Sequence, residues 1–160
     1  MNLTEKKMQL GSPPSMHELK SILLVALGGA LGSVVRYKLS GWVFHHTTGW
    51  QFPAGTFVVN VIGCLVIGVL AGFAVKEDFF SAETRIFLFS GIMGGFTTFS
   101  AFGLETFYLL RRGELLAAGS NVVLSVVVGL IALWIGFICV PHSGGGFSKH
   151  PALADTPKNG

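Results

Sequence analysis

The chain has 160 residues, 51% of them hydrophobic and 12% charged, with a mean hydropathy of +0.64, which is too apolar for a soluble domain of this size. The net charge of +3 comes from basic residues scattered singly or in pairs, without the basic stripe of a nucleic-acid surface. Cys64 and Cys139 stand in apolar runs with no CxxC or Cys/His spacing, so neither a disulfide framework nor a zinc site is indicated and both read as packing residues.

Residues 1–17 are polar and include Gly11-Ser12-Pro13-Pro14, which predicts a flexible leader with too little apolar surface to offset ordering. Residues 18–140 then read as one membrane domain of four helices, each needing roughly 20 apolar residues to cross. The first span runs from about Leu19 to Phe44 and is free of charge only from Ser21 to Val35, so Arg36 and Lys38 fall in its last turns. Its apolar run leads into Arg36-Tyr37-Lys38 and not into a small-residue cleavage site, so it is read as a retained helix and not a signal peptide. The second span starts near Pro53, a residue suited to a first helical turn, and is uncharged through Val75. After Lys76-Glu77-Asp78 the third runs from Ile86 to Leu110, with Glu105 near its end. The fourth runs from Leu115 to Val140 and is ended by Pro141 and Gly144-Gly145-Gly146. Residues 141–160 are expected to be a disordered tail and are given no function.

Gly28 and Gly32, and likewise Gly68 and Gly72, form GxxxG pairs that let helix backbones approach closely. Four tightly packed helices leave little room for water within one subunit, so a transport route is expected between subunits. Near the membrane, Lys20, Lys76, Arg85 and Lys149 on the side of the termini balance Arg36, Lys38, Arg111 and Arg112 on the other, which permits insertion in both orientations.

The third span holds the sequence from Gly91 to Ser100, where Gly94-Gly95 and Thr97-Thr98 are poor mid-helix residues. Either the helix breaks there, with its freed backbone groups buried against protein, ions or water, or it continues with glycine for close packing; composition favours neither. Phe96, Phe99 and Phe102 recur every third residue and project to a shared side. Such stripes usually face core or lipid, but the positive edges of phenyl rings can also solvate an anion without a trapping charge. Asn60, Thr97, Thr98, Ser100, Asn121 and Ser125 supply hydrogen-bond donors within the spans. Asn121, Ser125 and Gly129 fall on one face of the fourth helix, which either lines a wet path or bonds to a neighbouring helix; helix bonding is the better reading for Ser125 and neither is favoured for Asn121. Arg36 either concentrates anions at a pore mouth or snorkels to headgroups. The five histidines lie in loops or tails and no catalytic triad or metal set falls within a span, so the chain is not read as an enzyme.

The segments Gly28 to Tyr37, Gly55 to Gly63 and Gly91 to Phe102 together resemble the Fluc/CrcB fluoride channels. The resemblance implies an all-α fold in the cell inner membrane: four transmembrane helices per subunit, the third broken, assembled as an antiparallel, dual-topology homodimer. It implies passive fluoride export through two pores. It also implies a structural sodium ion (Na+) at the centre, held by the backbone carbonyls of Gly94 and Thr97. By the same resemblance Phe99 and Phe102 are the aromatic box of the fluoride path and Asn60 the polar donor beside them, with Thr98, Ser100, Asn121, Ser125 and Arg36 expected along the route. The partners are then fluoride, sodium, membrane lipid and a second copy, with no nucleic acid. The sequence departs from the family in reading Ser100-Ala101-Phe102 where Ser-Thr-Phe is common, and in carrying Asn121 where a tyrosine occurs. A small dual-topology drug or cation exporter is the main rival, but its chemistry needs a carboxylate at mid-membrane, and Glu18 and Glu105 lie toward span ends. A membrane scaffold without transport would explain the glycines but not the donors at the break.

Overall fold

A computed structural model describes residues 15–75 and 79–141. The expected leader, apart from its last residues, the expected tail beyond 141 and the link at 76–78 lie outside the described residues. Among the described residues the regular elements are all helical. Helix α1 (Met16–His46) opens on a capping box, in which the Glu18 N–H donates to Ser15 Oγ and the Ser15 N–H donates to Glu18 Oε2 at 2.7 Å. Helix α2 (Ala54–Ala74) begins directly after Pro53, where a missing N–H costs nothing.

The third span is built from two helices. Helix α3 (82–96) starts on a Ser81 cap, runs through one α turn (Ala82–Arg85), widens into a π-helical stretch (Ile86–Met93), and ends on a short α turn (Gly94–Phe96). Thr97 and Thr98 are extended, and α4 (Phe99–Arg111) resumes behind them. Of the two readings left open at this segment the break is the one observed, between Thr97 and Thr98. Helix α5 (Leu115–Ile138) follows a tight turn in which Gly113 takes a φ of 77°, a left-handed value that suits glycine. Among the described residues four spans are therefore long and apolar enough to cross a bilayer: α1, α2, the third span as a whole and α5.

Two helix pairs organise the packing. In the first, α2 lies on α5: a Cβ added at Gly68 would collide with the Leu133 carbonyl oxygen, one at Gly136 would collide with the Leu65 carbonyl, and one at Gly72 would stand 2.9 Å from the Phe137 carbonyl. In the second, α1 lies on α3, with Gly28 against Gly91 and Gly32 against Ile92 and Phe96. Lipid tails are as apolar as leucine, so association here rests on close contact between backbones and not on apolar burial. The π-helical stretch falls where α3 meets Gly28 and Gly32. Between the two pairs sits a small core of Val59, Met93 and Phe96, with Leu39, Ile62 and Ile92 against it. Outward faces carry exposed apolar side chains such as Leu31, Val34, Val123, Leu130 and Trp134, as expected for a chain solvated by hydrocarbon.

The Gly68 contact makes a direct test. Gly68→Ala places a methyl group against main chain that has no rotamer to give, so it is expected to cost about 1–3 kcal/mol in thermal unfolding of the purified protein. Gly41→Ala, where a Cβ meets nothing within 4 Å, is expected to be neutral or slightly stabilising.

Candidate functional site

The site is organised by the interruption at Thr97–Thr98. The Thr97 N–H and the Thr97 hydroxyl both donate to the Met93 carbonyl oxygen, each at 3.1 Å, which closes the last rung of α3. The Gly94 and Thr97 carbonyls lie past that rung. Gly94 is exposed on the subunit surface, and a Cβ there would meet only the Phe89 carbonyl oxygen at 3.8 Å. On the far side, Thr98 caps α4: its Oγ1 accepts from the Ala101 N–H at 3.5 Å and shares a 2.9 Å hydrogen bond with Ser100 Oγ. Poor helix formers at this point thus serve as the closing and capping groups of two shorter helices.

The break divides the phenylalanine stripe. Phe96 is buried in the core, whereas Phe99 is 84% exposed and Phe102 is partly buried. The expectation of one shared side for all three is therefore corrected, because two extended residues reset the helical phase between positions 96 and 99. Phe99 and Phe102 remain a pair, with ring centroids 5.5 Å apart and planes tilted by 44°.

Helix α2 runs alongside this region with one face. The Thr56 hydroxyl donates to Glu105 Oε1 at 2.6 Å, and Gly63 abuts the Thr97 methyl group and the Phe96 ring. Asn60 lies between them at i+4 from Thr56, so the face of α2 that meets Glu105 at one end and the break at the other carries an amide midway. Asn60 is partly buried, and its side chain makes no hydrogen bond among the described residues.

A cavity of about 1040 Å³ opens at the end of the bundle where α1 finishes, α2 begins and α4 finishes. Arg36, Thr56, Thr98, Ala101, Glu105 and Arg112 line it. Glu105 Oε2 is buried there without a hydrogen-bond partner among the described residues. The cavity thus combines three guanidinium groups, of Arg36, Arg111 and Arg112, with a carboxylate held on one oxygen by Thr56, and the side chain of Ala101 on its wall carries no hydroxyl.

Asn121 and Ser125 belong to a different place. Asn121 is 1% exposed; its amide donates to Thr106 Oγ1 at 2.8 Å, and Ser125 Oγ donates to Asn121 Oδ1 at 3.4 Å. Thr106 Oγ1 in turn donates to the Phe102 carbonyl at 2.8 Å. This chain of bonds ties α5 to the turn of α4 that carries Phe102. The structure therefore brings Arg36 and Thr98 together on the cavity, pairs Phe99 with Phe102, and keeps Asn121 and Ser125 inside the subunit. Sequence reasoning gave no site role to Thr56, Glu105 or Thr106. The available signal is Glu105 itself, since a carboxylate within a span is expensive unless it is used.

Comparison with known proteins gives the chain's relatives. Residues 23–137 match the family described as CrcB-like protein, Camphor Resistance (CrcB). The Fluoride-specific ion channel FluC of Methylobacillus flagellatus is 58% identical over 116 residues, covering 72% of this chain and 91% of that protein. Proteins with the same description from Opitutus terrae and Geotalea uraniireducens are 51% and 46% identical, over 72% and 75% of this chain and 89% and 96% of their own lengths.

The bond chain through Asn121 can be measured. Asn121→Ala removes the donor to Thr106 and is expected to lower thermal stability by about 0.6–2 kcal/mol, the range of interhelical hydrogen bonds in membranes. An unchanged melting temperature would show that α5 holds the Phe102 turn by packing alone.

Proposed function

The chain belongs to the CrcB family, and from that membership we propose that it is a fluoride-selective ion channel of the cell membrane, working passively as an inverted homodimer. The observation that carries the reading is the broken third span, with Thr97 and Thr98 extended between two helices in a protein with almost no charge at membrane depth and with Thr98 on the cavity that Arg36 also lines. In this reading fluoride collects in the cavity beside Arg36 and Arg111, where positive charge raises the local anion concentration, while Arg112 is paired with Glu114 at 3.3 Å. It then passes Thr98, Ser100 and the free amide of Asn60, which replace water as donors. The edges of Phe99 and Phe102 take over without a fixed charge, so the ion binds weakly enough to leave. Asn121 and Ser125 act through Thr106 by holding the Phe102 turn.

Exposure supports the second subunit of this reading. Phe99, Ser100 and Gly94 lie on the outside of a single subunit, where an unpaired carbonyl facing hydrocarbon would cost several kcal/mol. A second copy related by two-fold symmetry covers them, and the balanced positive charge near the membrane allows that copy to be inverted.

A structural sodium ion fits the same surface. The Gly94 and Thr97 carbonyls are neutral oxygens past the last closed rung, and Gly94 has open space beside it. Two copies would offer such carbonyls to a hard monovalent cation with no carboxylate among them. When bound, the ion offsets part of the cost of bringing fluoride toward the middle of the membrane and joins the interrupted helices.

Two outcomes are expected. In proteoliposomes, replacing both rings (Phe99→Ile with Phe102→Ile) should lower fluoride efflux at least about tenfold, equivalent to about 1.4 kcal/mol at the barrier, with little change in melting. Undiminished flux would make the rings packing residues only. Single cysteines placed in the C-terminal tail should react with an impermeant reagent in part of the population of intact cells, because subunits insert both ways; uniform protection or uniform labelling would contradict the inverted dimer.

A further inference from the structure

Gly28, Gly32 and Arg36 follow at i, i+4 and i+8, so one face of α1 carries two glycines and then an arginine. The glycines press on α3: a Cβ at Gly28 would stand 2.8 Å from the Phe87 carbonyl oxygen, and one at Gly32 would stand 2.8 Å from the Phe96 nitrogen. Arg36 meets α3 where that helix stops. Its Nε donates to the Gly95 carbonyl oxygen at 3.1 Å, and Ser33 Oγ donates to the same oxygen at 3.4 Å. Gly95 is also held by its neighbour, since a Cβ there would lie 2.9 Å from Gly29 Cα. A helix end leaves carbonyls unpaired and carries the negative end of the dipole, so a guanidinium at this point is favourably placed. The two donors account for both lone pairs of the Gly95 oxygen.

We propose that Arg36 is a positioning residue for the central cation: with Ser33 it engages the Gly95 carbonyl, withdraws that oxygen from the ion, and fixes the chain so that the Gly94 and Thr97 carbonyls are the ones left to bind it. The proposal rests on the sodium reading above. Arginine suits the task because Nε can hold the carbonyl while the two Nη groups remain for the cavity that Arg36 also lines, a division that the single ammonium of lysine cannot make. The anion vestibule and the break are thereby joined through one side chain.

Simple electrostatics predicts the opposite sign. A fixed positive charge close to a cation site opposes the cation, so removing it would tighten sodium binding if charge were all that mattered. Arg36→Met keeps the aliphatic stem and removes both charge and donor, and so separates the two accounts. The experiment measures melting of the purified full-length chain across a sodium chloride series, with N-methylglucamine chloride holding ionic strength constant. Wild-type protein should melt higher as sodium rises, and Arg36→Met should need at least about tenfold more sodium for half of that shift. Fluoride flux by the variant should be low at low sodium and partly recover at high sodium. An equal or smaller sodium requirement in Arg36→Met overturns the proposal and leaves Arg36 as an anion-attracting charge. If wild-type melting ignores sodium, the sodium reading itself fails and the proposal goes with it. Should Arg36→Met not fold, Ser33→Ala removes only the longer bond; it should raise the sodium requirement by a smaller factor, and an unchanged requirement would overturn the proposal.

Discussion

Everything in this molecule depends on how backbone carbonyls are satisfied where a transmembrane helix stops in the middle of its span. In water an interruption such as Thr97–Thr98 would be hydrated. In hydrocarbon each orphaned polar group costs several kcal/mol, so the break persists only if other parts of the protein answer it. Several do: Thr97 closes back on Met93, Thr98 caps α4, and Arg36 and Ser33 reach the Gly95 carbonyl from α1. What one subunit leaves open lies on its surface beside Phe99, so in the proposed dimer the fluoride route and the assembly surface would coincide.

That arrangement requires close contact between helices. Glycines at 28 and 32 bring α1 onto α3 near enough for Ser33 and Arg36 to reach past it, and glycines at 68, 72 and 136 lock α2 to α5. The rigid pair α2–α5 then presents Thr56, Asn60 and Gly63 to the third span, while Asn121 steadies the Phe102 turn through Thr106. Packing in this protein is not a background to the site; it sets which donors can face an anion.

Much of this was legible in the sequence, and the parts that were not share a cause. Pro53 at a helix start, the GxxxG pairs and the four apolar runs depend on local chemistry, and all appear as read. The break was legible as one of two alternatives, since Gly94-Gly95 serves close packing as well as interruption; the capping hydroxyl of Thr98 decides between them. The π-helical stretch left no sequence signal; it lies against Gly28 and Gly32 of α1, a contact that spacing within the third span does not carry. Nor could spacing reveal that Phe96 turns into the core while Phe99 turns out, since a regular period cannot anticipate two extended residues. The pairing of Thr56 with Glu105 joins positions on different helices and exists only once α2 lies against α4.

The central claim is that a donor-lined, ring-edged route with no embedded carboxylate except Glu105 passes a small, strongly hydrated anion and rejects a larger one. The most direct measurement is efflux from liposomes loaded with equal potassium fluoride and potassium chloride, with a fluoride and a chloride electrode in the same chamber after a potassium ionophore is added. The account predicts rapid fluoride release with chloride retained. Release of both ions at similar rates, or of neither from verified folded dimer, would contradict it.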